Sequence, residues 1–91
     1  MTSEYLHREL KMELGDAVEI KLKQSANVML LDPVNYDSYR KEQNFCYFGG
    51  YAKYSPIQLQ VPYSGTWHVV IDLGGIPGTV EYTVNVIKKK M

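Results

Sequence analysis

The 91-residue chain sets ten Lys and Arg against ten Asp and Glu, with 45% hydrophobic and 22% charged residues, an ordinary globular balance from which disorder is not expected. That length supports one hydrophobic core, hence a single domain over 1–91. Zero net charge withholds the electrostatic drive on which phosphate binding depends, so nucleic acid is not an expected partner.

The start, Met1-Thr2-Ser3-Glu4, is polar and acidic with no basic, apolar leader, so export is not expected. Leu6, Leu10 and Met12 mark a first strand over Tyr5–Met12, although Leu6 and Leu10 also stand at helical spacing. After a turn at Leu14-Gly15-Asp16, the apolar Val18, Ile20 and Leu22 alternate with Glu19, Lys21 and Lys23, the period of a half-buried strand. Residues 28–31 are continuously apolar, which suits a strand covered on both faces. Asp32 before Pro33 supplies a favoured N-cap and first helical position, predicting one short helical turn near residues 33–40. Residues 45–48 are aromatic and strand-like, and Gly49-Gly50 reads as the turn that closes them.

Alternation returns at Ile57, Leu59 and Val61, then at Trp67, Val69 and Ile71 after the turn Tyr63-Ser64-Gly65. A Gly-rich turn over 74–78 leads to the longest run, Val80, Tyr82, Val84 and Val86, set off by Glu81, Thr83 and Asn85. The basic Lys88-Lys89-Lys90 reads as a solvated end. About seven strands at short intervals predict an all-β fold, an antiparallel two-layer β-sandwich of jelly-roll-like type. The core comprises the inward members of each alternation, with Trp67 as its anchor, and Glu19, Lys21 and Glu81 face outward.

No catalytic constellation emerges, and the chain is not expected to be an enzyme. Cys46 and His68 form the one arguable nucleophile pair, but Cys46 has no basic flank and reads as a buried structural thiol. A single cysteine forms no internal disulfide, which fits a reducing, cytoplasmic setting. No apolar run approaches the ~20 residues of a membrane span. His7 and His68 lack metal-ligand spacing, and alternation turns His68 away from Trp67 toward the less buried face. Asp32, Asp37 and Asp72 match no calcium loop, and Asp32 reads first as a cap, so neither metal nor cofactor is expected. The paired glycines read as hairpin turns in place of phosphate cradles.

Aromatic residues are the distinctive feature: eight tyrosines, most of them between residues 36 and 54, interleaved with Arg40, Lys41 and Lys53. Tyrosine joins an apolar face to a polar tip and suits surfaces that stack on proteins, sugars or bases. The candidate binding residues are therefore Tyr36, Tyr39, Arg40, Tyr47, Tyr51 and Tyr54. The same side chains could instead cover the end of a small sandwich. The reading is a recognition domain for a protein partner or small ligand; a carbohydrate-binding jelly roll is the alternative, ahead of a small enzyme, and a homodimer could use the same surface.

The strings Leu30-Leu31-Asp32-Pro33-Val34-Asn35-Tyr36, Tyr47-Phe48-Gly49-Gly50 and Gly65-Thr66-Trp67-His68-Val69-Val70-Ile71-Asp72-Leu73-Gly74-Gly75 carry a resemblance. From Tyr5-Leu6-His7 to about Val86 the chain resembles the bacterial domain-of-unknown-function family 1883. The resemblance implies a compact β-sandwich without an established activity. Some members precede a Toll/interleukin-receptor domain, which implies a sensing or adaptor role. It supplies no catalytic or ligand-binding residues.

Overall fold

Period-two alternation has to bury one face of each strand, and two sheets facing each other do so here. The computed structural model describes residues 5–72 and 81–89. In chain order the elements are β1 (Tyr5–Met12), β2 (Ala17–Leu22), β3 (Ala26–Leu31), α1 (Pro33–Arg40), β4 (Phe48–Ala52), β5 (Ile57–Gln60), β6 (Gly65–Asp72) and β7 (Tyr82–Ile87). One sheet has the order β1-β6-β3-β4 and the other β5-β2-β7, with antiparallel pairing in both. The fold is an all-β sandwich with one short helix.

Between the sheets lie Val18 and Ile20 of β2, Val28 and Leu30 of β3, and Trp67, Val69 and Ile71 of β6, all buried, together with Met12 and Val61. Leu22, at the end of β2, packs against this core and is partly buried, as are Ile57, Leu59, Val84 and Val86 on the edge strands β5 and β7 of the three-stranded sheet. Lys21 and Glu81 are exposed, so the register read from the sequence holds. Val80 and the Gly74–Gly78 turn lie outside the described residues.

The outer face of the four-stranded sheet is also covered. Asp32 caps α1, its carboxylate accepting from the Asn35 N–H at 2.8 Å, and Pro33 opens the helix. The helix and the segment after it lay Tyr36, Tyr39 and Phe45, with Tyr5 of β1, over a second cluster of Met29, Leu31 and Val70. This cover makes residues 28–31 buried on both faces. It also corrects the placement of His68, which alternation assigned to an open face but which is only 6% exposed.

Two further expectations are corrected. Gly49 and Gly50 form no turn: they lie within β4, paired with Met29 and Val28. At Gly49, φ is 118° and a Cβ would collide with the Val28 carbonyl oxygen, so a side-chain-free residue is needed in mid-strand. Cys46 is exposed, because residues 43–47 form an irregular segment over the sheet and no strand begins until Phe48. The basic end is not wholly solvated either. Lys88 Nζ and the Lys89 N–H both donate to the buried Asp16 carboxylate, each at 3.0 Å. Among the described residues no helix is long and apolar enough to cross a membrane.

Candidate functional site: an aromatic cleft beside the helix

The end of β3 delivers Asp32 to the start of α1, and the capping geometry fixes one carboxylate oxygen: Asp32 Oδ1 accepts from the Asn35 N–H at 2.8 Å and from Asn35 Nδ2 at 3.0 Å. Its other oxygen accepts from the Tyr63 hydroxyl at 2.9 Å. Tyr63 is held from behind, since the Trp67 indole N–H donates to its carbonyl at 3.1 Å. The Asn35 side-chain carbonyl accepts from the Cys46 N–H at 2.8 Å, which pins the start of the irregular stretch leading into β4.

These bonds frame a cleft of about 250 Å³ lined by Leu30, Asp32, Asn35, Cys46, Tyr47, Phe48, Tyr63 and Trp67. Its floor is the buried pair Leu30 and Trp67, and its walls are Tyr47, Phe48 and Tyr63, each close to half exposed. Trp67 is in ring contact with both Phe48 and Tyr63, with centroids 6.1 and 4.8 Å away. Large apolar side chains that are half exposed around a concavity are the usual material of a small-ligand site.

Asp32 is the only charged residue in the lining, and no Lys or Arg among the described residues forms an ion pair with it. Burial pushes its carboxyl up, but the hydrogen bonds from Asn35, Tyr63 and the Val34 N–H outweigh that effect and hold it below its ordinary value. The residue is thus an anion at neutral pH, stabilised by neutral donors. Burial, followed by the bond to Asp32, pushes the Tyr63 phenol up, so it remains a neutral donor.

The residues singled out in the sequence separate into four places. Tyr47 lines the cleft. Tyr36, Tyr39 and Arg40 belong to the helix cover: Tyr36 lies flat over His7 and His68, its centroid 4.3 Å from each, and Arg40 stands 5.4 Å from the Tyr36 centroid. Under that ring His7 Nε2 and His68 Nδ1 share a hydrogen bond of 2.8 Å. Tyr39 donates to Asp72 Oδ2 at 2.6 Å, and burial with that bond pushes its phenol well up. Tyr51 is exposed on β4, and Tyr54 lines a separate cleft of about 290 Å³ with Lys23 and Lys53.

Asp32, Asn35, Phe48 and Tyr63 were not among the sequence candidates. Asp32 and Tyr63 are 31 positions apart, and no local pattern announces their contact. The histidine pair, 61 positions apart, escaped for the same reason. No group of three or more His, Cys, Asp or Glu that could hold a metal converges among the described residues. Asp32 caps the helix, Asp37 pairs with Arg40 and Lys41 at 2.9 Å each, and Asp72 accepts from Tyr39.

Residues 3–90 match the family model described as Domain of unknown function (DUF1883). No curated protein and no solved structure matches the chain.

Proposed function

The chain belongs to the DUF1883 family, whose description assigns no chemistry, and from the site we propose that it is a non-enzymatic recognition domain with a small-ligand cleft. The observation that carries this reading is the cleft beside α1, where Tyr47, Phe48 and Tyr63 leave large ring surfaces open to solvent around the buried Trp67. A small β domain that needed these rings only for stability would gain by burying them further. A scaffold of two packed sheets holds the floor and the Phe48 wall rigid, while Tyr47 and Tyr63 come from connecting segments that can differ without disturbing the core.

A carbohydrate reading draws on the same rings as stacking platforms. It is less well supported, because Asp32 and the Asn35 carbonyl are already occupied by internal donors and have little capacity left for sugar hydroxyls.

The test is a fragment screen by two-dimensional NMR, with the indole N–H of Trp67, the chain's single tryptophan, as reporter. Ring-containing fragments should shift the Trp67 indole and the backbone amides of residues 46–48. Shifts confined to residues 51–55 would move the site to the separate cleft lined by Tyr54 and overturn the reading.

A further inference from the structure

Resting on that cleft reading, we infer that the preferred occupant is a small organic cation bearing a methylated ammonium group. Three features of the cleft point this way. The first is charge: its lining carries one anion and no cation. Asp32 is ionised and partly buried, and its hydrogen-bond partners are the neutral Asn35 and Tyr63 groups, so its charge is not neutralised by any described Lys or Arg. An anionic ligand would meet repulsion there, and a cation would be attracted.

The second is the aromatic wall. The half-exposed rings of Tyr47, Phe48 and Tyr63 line one small space above the buried Trp67, and a cation held against such rings is attracted by their quadrupoles. A volume of about 250 Å³ lies below the usual range for whole drug-sized ligands, and so suits a headgroup of a few heavy atoms.

The third decides between kinds of cation. A primary ammonium brings three N–H donors and a guanidinium five, all needing acceptors once removed from water. Here both Asp32 oxygens and the Asn35 carbonyl already accept internal bonds. A fully methylated ammonium needs no acceptor, spreads its charge over apolar methyl surface, and can use the rings and the field of Asp32 without breaking a bond. The cleft therefore favours the methylated cation over its protonated counterpart.

The experiment compares choline with its neutral isostere 3,3-dimethylbutan-1-ol, using Trp67 fluorescence and calorimetry on the intact chain. Choline should bind about ten-fold more tightly than the neutral alcohol. Asp32→Asn should reduce that preference several-fold, leaving only the share contributed by the rings; Asn retains an N-cap oxygen, so an unchanged melting temperature shows that the fold is kept. Ethanolamine, the unmethylated analogue, should bind more weakly than choline. A short peptide carrying one trimethyllysine distinguishes a free cation from one borne on a chain, and tighter binding by either supports the methylammonium site. Equal binding of choline and the neutral alcohol would overturn the cation inference while leaving the cleft reading intact. Binding of neither would likewise overturn the cation inference, and the cleft reading falls with it only if ring-containing fragments also leave Trp67 and residues 46–48 unshifted.

Discussion

His7 and His68 share one hydrogen-bonded proton, and their rings lie side by side beneath Tyr36. Burial lowers the pKa of both; for His68 the neighbouring His7 adds to the effect, and Glu9 opposes it at each. Arg40 pushes both down as well, so at His7 loss of hydration with Arg40 outweighs Glu9, and at His68 loss of hydration with His7 and Arg40 outweighs Glu9 and Asp32. A histidine whose folded pKa is depressed binds protons more readily when unfolded. Its contribution to stability is therefore complete above the ordinary value of 6.5 and is lost as pH falls below it toward the folded value. These are the chain's two histidines, so the melting temperature should fall by a few degrees between about pH 7.5 and pH 5.5. His68→Gln should flatten that slope whatever its own effect on stability; an unchanged slope would mean that the pair does not titrate with unfolding. Trp67 belongs to a different class of residue, a ring that is 1% exposed at the centre of the larger sheet. Trp67→Ala should cost about 3–5 kcal/mol in urea unfolding, and an unaltered midpoint would show the cavity to be harmless.

The helix α1 has only eight residues and none fully buried, too short to persist without packing and its cap. Asp32→Ala should cost about 1 kcal/mol through the cap alone, and more through the freed Tyr63 hydroxyl, whereas Asp32→Asn should stay near the parent in thermal unfolding. The helix was legible in the sequence because Asp32-Pro33 is a local signal whose chemistry acts over three residues. Strands β2, β5 and β6 were legible because one face of each is apolar over successive alternate positions. β4 was not: Phe48-Gly49-Gly50 carries turn residues, and it is a strand because β3 pairs with it, a contact 18 to 26 positions away in sequence. Gly49→Ala sets the two readings apart. A turn glycine at positive φ would also resist the change, but only the strand places a Cβ against the Val28 carbonyl, and strain and collision together predict about 1–3 kcal/mol of destabilisation, measured as a shift in unfolding midpoint.

The strand order β1-β6-β3-β4 is set by long-range pairing that no periodicity announces, and the placement of the site follows from it. Pairing of β3 with β6 brings Asp32 near Tyr63, and the helix laid across the same sheet closes over His68. The sequence could therefore identify tyrosine-rich residues 36–54 as distinctive, yet it could not separate Tyr47, which reaches the cleft, from Tyr36 and Tyr39, which pack the outer face. The two sheets also need to be tied where the chain leaves them, and Asp16 performs that tie. Lying between β1 and β2, it accepts from the Glu13 N–H at 2.9 Å and from both Lys88 and the Lys89 N–H beyond β7 at 3.0 Å. Its own carbonyl accepts from the Val61 N–H at 3.0 Å, just past β5. Backbone hydrogen bonds from Glu13 and Lys89, with Lys88 beside them, hold the carboxyl at about 2. A carboxyl depressed in the folded state stabilises it fully above its unfolded pKa, and that stabilisation is lost as pH falls toward about 2. Asp16→Asn keeps the shape but gives up the charge and part of the acceptor capacity. It should melt several degrees below the parent near pH 7, and the gap should narrow toward about pH 3 as the parent carboxyl begins to take up protons on unfolding. A gap that does not change with pH would mean that the tie acts through packing at Asp16 and not through its charge.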